Sequence, residues 1–395
     1  MKIQIKHISN TYNYGSCMMA VTLIKSLRDS FKDLKIYVDA KTDENINRLI
    51  KETGFSNISK DNFGNSSSIF VRVMNRIKVK QVENRVDVII VIGGDDISEY
   101  YGVDYLIGEL EKLEKLSNSK KVILLGQTMG PFNDGRDKIA EKKLRKCIIY
   151  TRDDKNFDYL KGIGFTNVYK GRDLAFSDLP NQNNGEKILD RYSLLKDEYV
   201  TLVPSGLMEC YTKDYKNYIK EYEVIIEYLL QNKELQNKKI VLLPHVLIPK
   251  NVDDRNIIRE LKNKQFTDKE RLVFIDDAML PSEARNILGN GIFTITGRMH
   301  AAVSTFYMRK PAISLSYSIK YAGVIGEGLD MDELIIEAAD SELWKENKIS
   351  KKVNEKVQFL LNEYDSLTNK ISKNVLGVKT IVENCMDNLN KEINK

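Results

Sequence analysis

The chain reads as an α/β protein built from two successive doubly wound domains. Three observations predict this. Apolar strands alternate with amphipathic helices almost throughout, and glycine-rich or charged turns directly follow the strands. One polar break without apolar period, PNQNNG at Pro180–Gly185, divides the alternation in two. At 395 residues there is chain enough for a core in each half.

In the first half the spacing predicts strands at Lys2–Ile8, Lys35–Val38, Val86–Ile92, Val122–Leu125 and Cys147–Tyr150, with a short one at Asn167–Tyr169. The clearest helices are Cys17–Phe31 and Ile139–Arg145. His7 falls inside the first strand and reads as a core or edge residue. The second half repeats the pattern. Its strands are expected at Tyr199–Val203, Lys239–Leu243, Leu272–Ile275, Ile292–Thr296 and Ala312–Leu315. Its helices are expected at Tyr215–Gln231, Asp254–Lys264, Pro281–Leu288 and Met299–Tyr307. From about Ser350 the sequence is highly charged, with Val353, Val357, Leu360, Leu361, Tyr364 and Leu367 at helical spacing. The expected domains are therefore 1–182 and 183–345, with a helical segment 346–395 packing back on the first. Ligands of doubly wound sheets bind at the carboxyl ends of the strands, which for two such domains means a cleft between them.

Composition narrows the class. Apolar content of 42% and charged content of 30% describe a globular chain, and no run approaches the roughly 18 apolar residues of a membrane span. The opening MKIQIKHISN is too polar for a secretory signal, and the four cysteines lie far apart, so a reducing cytoplasm is the expected location. The net charge of +5 is ordinary lysine-rich solubility, with some attraction to phosphates or an anionic membrane surface. Basic residues are interspersed with acidic ones, which argues against nucleic-acid binding. None of the three histidines has a second histidine or cysteine at ligand spacing, so no metal is expected.

The chemistry is expected at the strand ends. Asn13 and Gly15 lie in the loop after the first strand, Gly93-Gly94-Asp95-Asp96 after Val86–Ile92, and Gly126-Gln127 after Val122–Leu125. Arg152 follows Cys147–Tyr150, and Gly171-Arg172-Asp173 adds a charged corner. Singly these are weak: paired glycines suit any tight turn, and Arg152 also reads as a surface partner of Asp153 or Asp154. His245 closes the strand Lys239–Leu243. The most informative stretch is Gly297-Arg298-Met299-His300, a turn entering a helix with two ionisable side chains at its start. Helix N-termini present free N–H groups and a positive dipole end, so this turn suits an anion and adds a proton donor. Lys320 follows the neighbouring strand. Arg152, Arg298, His300 and Lys320 together suit a small substrate bearing carboxylate and phosphate.

In this order the motifs resemble those of the polysaccharide pyruvyl transferases. The resemblance rests on Gly93-Gly94-Asp95, Gly126–Phe132, Thr151-Arg152-Asp153, Arg172–Phe176, Leu243-Pro244-His245, Gly297–Ala301 and Ser316–Lys320. It implies two Rossmann-like domains related to the GT-B architecture. It also implies transfer of pyruvyl from phosphoenolpyruvate to a sugar, commonly as a ketal, with no cofactor besides that co-substrate. By motif, the residues that bind phosphoenolpyruvate fall on Arg152, His300 and Lys320, with Arg298 assisting. His300 is then the acid, or the donor that protonates the leaving phosphate, and Asp95 or Asp96 is the base or a hydrogen-bond partner of the acceptor sugar, while Asn13, Gly15, Gly93, Gly94, Asp96, Gln127 and His245 line the acceptor side or the cleft. A lipid-linked sugar acceptor and peripheral contact with the inner membrane surface belong to the same expectation. The chain departs from the family pattern in Asp95-Asp96 after the glycine pair and in Arg172-Asp173. A GT-B glycosyltransferase using a nucleotide sugar, or a non-catalytic glycan- or phosphate-binding relative, are the rival readings. No feature sets an oligomeric state.

Overall fold

A computed structural model describes residues 1–64 and 68–395. The chain forms two compact units. One comprises Met1–Thr11, Ser16–Leu179 and Val378–Lys395; the other comprises Tyr12–Gly15 and Pro180–Gly377. The change of unit at Pro180 opens the PNQNNG segment. That segment is docked: the Gln182 carbonyl accepts from Asn286 Nδ2 at 2.9 Å.

The first unit runs β1 (Lys2–Lys6), α1 (Tyr14–Ser30), β2 (Lys35–Val38), α2 (Asp43–Thr53), β3 (Ile58–Lys60), α3 (Ile69–Arg85) and β4 (Val88–Ile92). It continues through α4 (Val103–Ser117), β5 (Lys121–Gln127), α5 (Arg136–Leu144), β6 (Ile148–Thr151), α6 (Asp154–Gly162) and β7 (Val168–Tyr169). The seven strands are parallel in the order β3-β2-β1-β4-β5-β6-β7. β4 is VIIVI and wholly buried, the run expected of a strand covered on both faces. On one face Ile89, Val91, Val122 and Leu124 pack against Leu106 and Leu110 of α4.

The second unit runs α7 (Gly185–Arg191), β8 (Tyr199–Val203), α8 (Tyr215–Gln231), β9 (Lys239–Leu242), α9 (Asp254–Lys262), β10 (Leu272–Phe274) and α10 (Pro281–Asn290). Then come β11 (Thr294–Thr296), α11 (Met299–Tyr307), β12 (Ala312–Ser316), β13 (Ile335–Glu337), α12 (Lys348–Asn362) and α13 (Tyr364–Asn394). Its six strands are parallel in the order β10-β9-β8-β11-β12-β13. With no sequence repeat, the two sheets share one winding: third, second, first, fourth, fifth, sixth. The strand order therefore reverses between β1 and β4 in one unit and between β8 and β11 in the other, where doubly wound sheets open their binding crevices.

The last turns of α13 count with the first unit. There Lys121 Nζ donates to the Glu392 carbonyl at 2.6 Å, and Asn390 Nδ2 reaches Ser26 and Ser30 Oγ at 3.0 and 2.8 Å. One expectation is corrected. His7 is not inside the strand: β1 stops at Lys6, and His7 takes φ +70° with its N–H on Asp39 Oδ2 at 2.9 Å. The capture of that amide by Asp39 turns the chain out of the sheet. His7 Nδ1 then lies 3.7 Å from Asp96 Oδ2, across the β1/β4 switch point.

Candidate functional site

In the second unit the site grows from the turn between β11 and α11. Thr296 Oγ1 accepts the Arg298 N–H at 2.8 Å, which sets Arg298 as the residue capping α11. Gly297 sits where a side chain has no room, since a Cβ would fall 2.9 Å from Tyr211 Oη and 3.0 Å from Ser205 Cβ. Its carbonyl accepts from Tyr211 Oη at 2.7 Å and Tyr321 Oη at 2.9 Å. Tyr211 is itself packed by Tyr218, Tyr317 and Trp344. A buried, doubly hydrogen-bonded carbonyl fixes the direction in which α11 begins.

Arg298 is buried, and its Nε and Nη2 donate to Asp254 Oδ1 at 3.0 and 2.6 Å, with Nη2 also on the Val252 carbonyl at 2.8 Å. Asp254, fully buried, also accepts the backbone N–H groups of Gly206, His245 and Val246 at 2.7, 2.9 and 2.8 Å. Burial alone would lower the Arg298 pKa, but the Asp254 charge and hydrogen bonds outweigh it and raise it above its ordinary value. The structure therefore differs from the sequence expectation on this residue. Arg298 directs its Nε and Nη2 to a carboxylate of its own unit, because Asp254 turns inward at the start of α9 while its neighbour Asp253 caps that helix.

His300 is half-buried in the first turn of α11. The loop Tyr12–Gly15 lies against it: a Cβ on Gly15 would fall 2.3 Å from both Cγ and Nδ1 of the imidazole. That loop is pinned to the β9 end. Tyr14 N–H donates to the His245 carbonyl at 3.1 Å, Leu247 N–H donates to the Tyr12 carbonyl at 3.0 Å, and Asn13 pairs antiparallel with Val246. The Tyr14 ring meets His245 edge-on at 5.5 Å. His245 is buried and its Nε2 has no hydrogen-bond partner. Burial, then the nearby charges of His300, Arg298 and Arg285, holds its pKa well below the ordinary value, so its ring is neutral. Five residues expected from the sequence, Asn13, Gly15, His245, Arg298 and His300, thus converge in this unit.

Lys320 follows β12 and folds back on its own loop. Its Nζ donates to Tyr317 Oη at 2.8 Å and stands 4.6 Å from the centre of that ring. The next residue, Tyr321, holds the Gly297 carbonyl, so the Lys320 segment and the His300 turn are tied together. A π-helical turn, Ala322–Glu327, comes directly after.

In the first unit Gly93 permits a close approach, since a Cβ there would fall 2.5 Å from the Gly126 carbonyl oxygen, and a Cβ on Gly94 would meet Asp96 Oδ2 at 3.0 Å. Asp95 accepts from Tyr101 Oη at 3.1 Å, and Asp96 faces His7. Gln127, expected among the residues lining the acceptor side, is instead buried, with Nε2 on the Val91 carbonyl at 3.1 Å. Its amide braces the end of β4 from beneath the Gly93 turn. Arg152 is also buried rather than a surface partner of Asp153 or Asp154. Its Nε donates to Thr128 Oγ1 at 2.7 Å, its Nη1 lies 3.9 Å from Asp173 Oδ2, and its Nη2 has no hydrogen-bond partner. Arg172 pairs with Asp154. Arg152 belongs to this unit; Arg298, His300 and Lys320 belong to the other.

Residues 13–319 match the family model described as polysaccharide pyruvyl transferase. The chain belongs to that family. Of the residues described at this site, the match leaves out His7, Tyr12, Lys320, Tyr321, the turn Ala322–Glu327 and Trp344. Solved structures share the fold of this pyruvyl transferase family member at low identity. A UDP-GlcNAc 2-epimerase from Neisseria meningitidis bound to UDP-GlcNAc aligns with TM-score 0.64 at 11% identity, covering 99% of this chain and 100% of that one. The UDP-GlcNAc 2-epimerase of Methanocaldococcus jannaschii, in complex with UDP-GlcNAc and UDP, aligns with TM-score 0.55 at 15% identity, covering 92% and 93%. The shared fold is GT-B-like, two parallel sheets with flanking helices. The residues that sequence reasoning missed are Asp254, Tyr211, Tyr321 and Trp344. An aspartate at a helix start reads as a cap, and tyrosines in loops carry no periodic signal.

Proposed function

We propose that the protein transfers the pyruvyl group of phosphoenolpyruvate to two hydroxyls of a sugar, releasing phosphate and leaving a cyclic ketal. The observation that carries this is the Gly297–His300 turn, which lies inside the family match and holds His300 in the first turn of α11. The anion expected at such a helix start is the enol phosphate.

The reaction balances without a cofactor. A proton goes to the methylene carbon, C2 becomes oxocarbenium-like, and a first sugar hydroxyl bonds to it as its own proton passes to a base. The C2–O bond to phosphate then breaks and a second hydroxyl closes the ring, its proton leaving with a base. In this reading His300 supplies the proton, Lys320 and Arg152 hold carboxylate and phosphate, and Asp95 or Asp96 accepts from the sugar hydroxyls. Arg298 acts as a positioning residue that, through Asp254, holds the turn. Neutral His245 and the Asn13–Gly15 loop shape the surroundings of His300. A sugar carried on a lipid is the acceptor expected of an envelope polysaccharide.

The test is phosphate release from phosphoenolpyruvate with a panel of free and lipid-linked sugars, read together with the mass gain of the sugar. Release that requires an acceptor, matched by pyruvyl gain, supports the reading. Turnover of a nucleotide sugar in place of phosphoenolpyruvate would overturn it.

A further inference from the structure

We propose that helix α3, together with the tyrosine-rich turn after β4, docks the first unit on a membrane surface bearing anionic phospholipids. The helix reverses the usual pattern of a helix laid on a parallel sheet. Ile69, Phe70, Val73 and Ile77 are 74, 72, 47 and 46% exposed, and Val82 is the buried residue of the helix. Ile69, Val73 and Ile77 recur at four-residue spacing and form one outward stripe; Arg72, Arg76 and Lys80, all exposed, recur likewise and form the stripe beside it. Across Ile69–Arg85 there are five basic residues against one acidic, Glu83. Just before the helix, exposed Phe63 lies under Lys78, whose Nζ is 4.3 Å from the ring centre.

A second patch follows β4, which is separated from β3 by β2 and β1 in the sheet. Tyr100, Tyr101 and Tyr105 are 54, 54 and 44% exposed on the segment that follows β4. All strands of this sheet are parallel, so the chain leaving β3 toward α3 and the chain leaving β4 emerge at the same, carboxyl edge. Outward aliphatics and a basic stripe along α3, with tyrosines at the sheet edge from which α3 starts, are the composition of a face that lies in a bilayer interface. Aliphatic groups enter the acyl boundary, tyrosines sit at headgroup depth, and Arg and Lys pair with lipid phosphates. The charge decides between occupants: a second copy of this face would set its basic stripe against another basic stripe, whereas anionic headgroups complement it. No helix among the described residues is long and apolar enough to cross a membrane. Attachment by α3 would be peripheral, with Asp95 and Asp96 on the same edge of the sheet.

The inference stands apart from the pyruvyl-transfer reading, and its test uses neither donor nor acceptor. The full chain is floated with vesicles of phosphatidylcholine alone and of phosphatidylcholine with phosphatidylglycerol. Partition on the order of tenfold stronger into the anionic vesicles, weakening with salt, is expected. Phe70→Asp with Val73→Asp should abolish it, and Arg72→Glu with Arg76→Glu should remove the preference for phosphatidylglycerol, both with unchanged melting temperature. Equal recovery with the two vesicles, or variants that float like the parent, would overturn the proposal. So would a dimer in light scattering that Phe70→Asp converts to a monomer, since a second copy would then own the face.

Discussion

Gly15 and His300 are in direct apposition: a methyl group on Gly15 would fall 2.3 Å from both Cγ and Nδ1 of the imidazole. The missing side chain at residue 15 therefore sets where the ring of residue 300 can lie. Gly15→Ala should keep the fold and displace the ring by an ångström or so, lowering kcat about 10²-fold. Parent-like kcat in that variant would separate His300 from the chemistry.

The buried pair Asp254–Arg298 gives a prediction about stability. Asp254→Asn keeps the shape but leaves the Arg298 guanidinium inside without its counter-charge. The expected loss is about 3–5 kcal/mol, read from urea unfolding, because an uncompensated buried charge is the costly outcome of breaking such a pair. A loss below about 1 kcal/mol, as for an exposed ion pair, would contradict the burial argument.

His245 predicts an acid limb. Its pKa in the folded protein lies well below the ordinary histidine value of about 6.5, through burial and then the neighbouring charges. The unfolded chain takes up a proton near its ordinary value that the folded chain refuses. Its contribution to stability is thus intact above about pH 6.5 and declines as the pH falls below it. Urea midpoints compared at pH 8 and 5.5 should show this decline, and His245→Gln should flatten it. An identical decline in the variant would assign the acid limb to other groups.

The two tyrosines on Gly297 should act together. Tyr211→Phe or Tyr321→Phe removes one donor and should cost about 1 kcal/mol each. The double variant leaves a buried carbonyl unpaired and should cost more than the sum, with kcat falling further than KM rises. Strict additivity, with activity unaffected, would reduce the pair to ordinary packing.

Much of the fold was legible because burial imposes period. Tyr199–Val203, Tyr215–Gln231 and Met299–Tyr307 stand where the apolar spacing placed them. The short edge strands Ile58–Lys60 and Ile335–Glu337 escaped because the isoleucines of ISK and IIE run directly into polar residues and do not stand out from the loops around them. Helix α3 escaped because its apolar residues are spread round it, outward at Ile69, Val73 and Ile77 and inward at Val82, so no single apolar face stands out. At the site, Gly297 and His300 were legible as a strand-end turn. The Asp254–Arg298 pair was not, since 44 residues separate the partners and nothing local in either segment names the other. Gln127 shows the converse: a polar residue after a strand looked like lining and proved to be a buried brace.

The central claim is that phosphoenolpyruvate reacts at the His300 turn. Its most direct test is phosphate release from phosphoenolpyruvate with an accepted sugar, measured for the parent protein and for His300→Ala at equal folded concentration. The account predicts acceptor-dependent release by the parent and loss of turnover in His300→Ala, with its melting temperature retained. Undiminished release by His300→Ala would contradict it.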